Sequence, residues 1–243
     1  MQAQTSATLN RRATGAGLLL RPRATWRTLQ TTPRRRAWLP ALLMALLTVL
    51  LVFISARADA IYRYRLALDW FEPHSVGRPP ELNPVDVAAT ALQVPRELGA
   101  LALRWALWTG ALFAAGCFVG RRRLTWGDAL TLTLWGWLPC IVRGLVQLVF
   151  MLVTRTPVYN PGLSGLVYDV TPPPLTALRY VQPSPQQWAV ALLLRGVDLF
   201  AIWQLCLIGW GFAVFTLTPT RKALALAVGI WALALLSNLL IGG

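Results

Sequence analysis

Acidic residues are scarce in this chain: nine aspartates and glutamates stand against 23 lysines and arginines, and all but one of those cations are arginine. Histidine occurs once, as His74, and cysteine three times, as Cys117, Cys140 and Cys206. Each shortage excludes some chemistry. The cysteines fall singly inside apolar runs, without metal-ligand or redox spacing, so neither a zinc site nor a disulfide framework is expected. They read instead as small buried hydrophobes. His74 lies in a connection, where a lone histidine is expected to be solvated. No second intramembrane aspartate is expected to pair with Asp198 as an aspartyl dyad would require. The segment "GLSG" at 162–165 lacks the spacing of a nucleophile elbow. Neither a phosphate-binding loop nor a dinucleotide fingerprint is present. The residues therefore predict no enzyme, no metal and no cofactor.

Apolar residues are abundant. The chain of 243 residues is 56% hydrophobic and only 13% charged, with a mean hydropathy of +0.53. Soluble domains carry roughly 45–50% apolar and about 25% charged residues. The excess is gathered into five runs, at about 37–56, 98–120, 128–154, 188–217 and 222–243. Each is long enough for a helix to cross a hydrocarbon core of ~30 Å at ~1.5 Å per residue. The first run is too long and begins too late for a cleavable signal peptide. The predicted fold is all-α: a polytopic membrane protein built as a bundle of five transmembrane helices.

The formal charge of +14 could suggest nucleic acid, but its distribution does not. Eight arginines precede the first run, without an acid among them and without the aromatic platforms of a nucleic-acid module. "RRR" at 121–123 follows the second run and "TRK" at 220–222 follows the fourth. The other two connections, 57–97 and 155–187, hold most of the acids and are rich in proline, as in "PHSVGRPPELNP" and "TPPPLTALRYVQPSPQQ". Cytoplasmic connections are the basic ones. The N-terminus is therefore expected in the cytoplasm of a cell-membrane protein, with the C-terminus and the two proline-rich loops outside.

Residues 1–17 read as a flexible basic tail, and 18–243 as the membrane domain. A short helix starting near Pro22 would lie flat on the membrane, with Trp26 and Leu29 on one face. Arg21, Arg23, Arg27, Arg34, Arg35 and Arg36 would then reach anionic headgroups; the alternative is a disordered basic tail. "DAIYRYRLALDWF" at 59–71 could prolong the first helix or lie in the interface, and "NPVDVAATALQV" could form a short helix of its own.

Several short patterns occur in a fixed order. "PRATW" at 22–26 precedes the first run. "GDALTLTLWGWLPCIVRGLV" combines a small polar start with a mid-helix proline, Pro139. Asp198, Phe200, Trp203, Leu205, Leu207, Gly209 and Gly211 make a D-x-F-x-x-W-x-L-x-L-x-G-x-G fourth run, and "TPTRKALAL" follows it. Together these patterns resemble the Yip domain family of Ypt/Rab-interacting-protein-like membrane proteins, in a bacterial-type version, over about residues 18–240. The resemblance implies five helices with a cytoplasmic N-terminal region. Eukaryotic members bind Rab-type GTPases and act in vesicle traffic, but their aromatic-glycine N-terminal motifs are not found in this chain, which leaves GTPase binding an open question here.

Charges inside the runs need a reason, since a charge deep in lipid costs roughly 2.5–3.5 kcal/mol on insertion scales. Counting residues from the outer ends places Arg104, Arg143, Arg195 and Asp198 at comparable depth, with Gln147 and Gln204 on the same helices. One reading is a polar cluster centred on Asp198, with Arg143 its first partner and Arg195 its second. The other is separate arginines reaching the interface, with the aspartate capping a helix. Pro139 is expected to kink the third run. Gly116, Gly120, Gly209 and Gly211 suggest close helix approach, between chains or within one. The function that follows is non-catalytic: a membrane-organising or protein-interaction role, with anionic lipid headgroups, another membrane protein or further copies of the chain as partners. The alternative is a small transporter or channel using the Arg/Asp cluster.

Overall fold

The computed structural model describes residues 17, 21–31, 38–71, 85–158 and 197–241, and the described residues are helical with short connections. The helices are α1 (Pro22–Thr31), α2 (Trp38–Phe71), α3 (Val87–Val119), α4 (Trp126–Gly136), α5 (Leu138–Thr154), α6 (Leu199–Thr216) and α7 (Thr220–Ile241). Among the described residues, four paths are long and apolar enough to cross a membrane: Trp38–Arg65, Val87–Val119, Trp126–Thr154 and Leu199–Thr216. The proline-rich segments at 72–84 and 159–196 lie outside the described residues.

Local chemistry sets the helix ends. Pro22 opens α1, where its missing N–H costs nothing. Asp86 accepts a hydrogen bond from the Ala89 amide at 3.0 Å and starts α3. The expected short helix near Pro84 is thus the first part of one long helix, which runs through Pro95 into the second apolar run. Similarly, 59–71 prolongs α2, and an i,i+4 pair between Asp59 and Arg63 at 2.8 Å lies along it. Thr125 and Asp128 form a reciprocal capping box at the start of α4.

The third run is broken as its proline predicts. Helix α4 ends at Gly136, Trp137 is the cap, and α5 resumes at Leu138 beside the buried Pro139. Proline cannot donate the i→i−4 bond, and its ring crowds the preceding turn. The helix therefore closes at Trp137, whose amide reaches the Thr133 carbonyl at 3.1 Å.

The described chain forms two compact units, each taking a segment from α2, α3, α5, α6 and α7. The first comprises residues 1–42, 102–140 and 202–234; the second comprises 43–101, 141–201 and 235–243. The first unit has a filled core that includes Leu112, Leu132, Leu207, Ile208 and Phe212. In the second unit Leu47 and Leu51 of α2 press on Gly144 of α5, where a Cβ would come within 2.5 Å of Leu47 Cδ2. Many large apolar side chains point outward instead, among them Leu46, Leu50, Leu103, Leu107, Val149 and Val153. In water such a surface would be a liability; facing lipid tails it carries no cost.

Candidate functional site

Two places gather the residues singled out from the sequence. One is in the second unit. Arg143 is the sixth residue of α5, ~16 Å along the helix from Thr154. Asp198 immediately precedes α6. The Arg143 guanidinium meets Asp198 Oδ2 at 3.0 Å, with the two side chains 24% and 13% exposed. The other carboxylate oxygen, Oδ1, accepts from the Ala201 amide at 2.7 Å. One carboxylate thus does both jobs that the sequence offered as alternatives. It neutralises an arginine within an apolar helix, and it caps free N–H groups at a helix start that also favours negative charge.

The other predicted members are placed differently. Arg104 is exposed on α3 and makes no ion pair among the described residues. The helix that carries it starts at Val87, ~25 Å before it. Arg195 lies outside the described residues, as do Arg34, Arg35 and Arg36.

The second place is in the first unit. Arg21, Arg23 and Arg27 are exposed, but Trp26 is fully buried and Leu29 nearly so. The sequence placed Trp26 against lipid; the structure places it inside the protein. The indole is edge-on to Phe215, ring centroids 6.0 Å apart. It also lies over Gly211, where a Cβ would come within 2.7 Å of the indole Cε2 and 2.5 Å of Leu132 Cδ2. Only glycine leaves room there. One step along α6, Gly209 receives Leu224 of α7 in the same manner. A hydrogen bond at 3.4 Å from Arg23 to Thr220 Oγ1 ties α1 to the start of α7. Periodicity gave the apolar face of α1 but not what it faces. The signal was the glycine pair at 209 and 211, which the structure shows to serve contacts within the chain.

Smaller polar contacts went unseen in the sequence. Thr109 donates to Thr133 at 3.1 Å, buried between α3 and α4. The Cys140 thiol donates to the Gln204 side chain at 3.1 Å, so this cysteine is more than an apolar filler. Such bonds average roughly 0.6 kcal/mol in membrane proteins, enough to select a register without dominating stability.

Long apolar helices with outward-facing leucines, and polar groups turned toward one another, define a multi-pass helical membrane protein. The Yip1 domain model matches residues 16–241, and the chain belongs to that family. No curated protein and no solved structure matches the chain. Three of the four patterns noted in the sequence meet in one place: Trp26 of "PRATW" on Gly211 of the α6 pattern, and Gly209 beneath Leu224 of "TPTRKALAL".

Proposed function

We propose that the protein is a five-span, non-catalytic component of the cell membrane that acts by holding lipids or other membrane proteins. Its N-terminal side and the turns at 121–123 and 220–222 face the cytoplasm. Helix α7, 22 residues and ~33 Å long, is the fifth span. The observation that carries this reading is the use made of polar groups within the apolar helices: Arg143 is matched to Asp198, and Cys140 to Gln204. A permeation path would instead turn such groups toward water.

Membrane-impermeant thiol labelling tests topology and dryness together, in a chain with Cys117→Ser and Cys206→Ser. Cysteines introduced at positions 30, 122 and 221 should label only from the cytoplasmic side, and those at 78 and 170 only from outside. Native Cys140 should resist the reagent from both sides. Labelling of 170 from the cytoplasm would overturn the topology, and rapid labelling of Cys140 would favour a water-filled path and the transport alternative.

The exposed Arg21, Arg23 and Arg27 are the contacts with anionic headgroups. Trp26 anchors their helix to the bundle, which holds the three cations at a fixed place. Each basic residue near an anionic surface contributes ~1 kcal/mol. The triple change to glutamine should lower the anionic lipid that co-purifies with the protein, and should leave the melting temperature within a few degrees. Unchanged lipid content would contradict this assignment.

A further inference from the structure

A second basic site lies in the other unit, and neither the sequence patterns nor the family assigns it. Helices α2 and α5 touch where Leu47 and Leu51 meet Gly144, and further along they leave a cleft of about 310 Å³. Its lining is Ile54, Ala58, Ile61, Met151 and Leu152, with Arg57 and Arg155. Ala58 and Met151 are buried, whereas both arginines are exposed. Neither guanidinium has a carboxylate partner among the described residues. The nearest acid in sequence, Asp59, pairs with Arg63, and two residues from Arg57 it cannot share that helix face.

Backbone geometry adds a separate observation. Arg155 closes α5 with φ 54°, and its amide returns to the Met151 carbonyl at 2.9 Å. This is the left-handed cap usually given to glycine, because a Cβ makes it sterically costly. A strained position occupied by a long cation lining a cleft points to use of that side chain.

We propose that this cleft binds the phosphodiester of an anionic phospholipid, with the upper acyl chain against Ile54, Ala58 and Met151. The volume is at the lower end of small-molecule sites. Arg57 directly follows the first apolar run and Arg155 the third, which is the level of headgroups. Two guanidiniums suit phosphate oxygens. No carboxylate in the lining would meet the amine of a zwitterionic headgroup, so a lipid of net negative charge is selected.

The test uses the full chain in nanodiscs containing photo-crosslinkable phosphatidylglycerol or phosphatidylcholine, with adducts located by peptide mapping. Phosphatidylglycerol adducts are expected within 54–61 and 151–155, and phosphatidylcholine adducts at least about tenfold fewer. Arg57→Gln with Arg155→Gln should lower the phosphatidylglycerol adducts about tenfold, with both arginines exposed and the melting temperature little changed. Arg155→Gly, which relieves the strained backbone, should fold at least as well and still lose several-fold. Changes at Arg21, Arg23 and Arg27 should leave these adducts intact, which separates the two basic sites. Equal adducts from both lipids, or adducts unchanged in the double variant, would overturn the proposal. Displacement by soluble glycerol phosphate as effective as by phosphatidylglycerol would assign the cleft to a free phosphate ester instead.

Discussion

Replacing Trp26 by alanine is expected to destabilise the protein by about 3–5 kcal/mol, the range for removing a large buried aromatic side chain. The residue is fully buried, and it fills the space that Gly211 leaves open beside Leu132 and Phe215. Alanine would leave a cavity of indole size and loosen α1, which is then held by the buried Leu29 and the long bond from Arg23 to Thr220. Phenylalanine at position 26 should cost much less. It keeps most of the packing, and the indole Nε1 that it removes is buried without a hydrogen-bond partner among the described residues. Gly211→Val should reproduce the alanine phenotype from the opposite side, because its Cβ would stand where the indole and Leu132 are. Thermal unfolding in detergent checks all three, and a Trp26→Ala protein that melts as the wild type would show that α1 does not depend on this seat.

Asp198→Ala is the second large effect. It removes the cap on α6 and leaves Arg143 without its carboxylate. Breaking a fully buried pair costs about 3–5 kcal/mol. With 24% and 13% of the side chains exposed, the loss here should be nearer about 2–3 kcal/mol. Loss of the cap adds ~1 kcal/mol. Asp198→Asn separates the two contributions: its carbonyl oxygen still accepts from Ala201, but it has no charge for Arg143. The asparagine variant should therefore be more stable than alanine by roughly the capping contribution. Chemical unfolding in mixed micelles gives the comparison. Equal stability of the two variants would mean that the cap contributes nothing.

What could be read from the sequence follows from which interactions are local. The apolar runs, the start of α1 at Pro22 and the break at Pro139 depend on near neighbours in the chain, and all three are legible. Membership of the Yip1 domain family was legible for a related reason, since its patterns are short and ordered along the chain. Helix ends hidden in polar segments were less so. "NPVDVAATALQV" reads as a short helix of its own, whereas one helix runs from Val87 through Pro95 into the second run. Long-range placement was legible only in part. Asp198 and Arg143 could be paired because a charge in an apolar helix demands a partner. Trp26 made no such demand, since an indole suits a lipid interface and a protein core equally well. What decides between them is the missing Cβ of Gly211, 185 residues away.

A non-catalytic membrane role requires the polar groups of the spans to be matched within the protein. A double-mutant cycle on Asp198 and Arg143 measures that most directly, with Asp198→Asn and Arg143→Met chosen to keep the cap and the side-chain volume. Each single change leaves one group unmatched, whereas the double change removes both. The double variant should therefore be less destabilised than the sum of the singles, with a coupling on the order of 1–2 kcal/mol. Strict additivity would contradict the account. It would leave Asp198 as a cap alone and Arg143 as a charge facing water, the arrangement that a transport pathway requires.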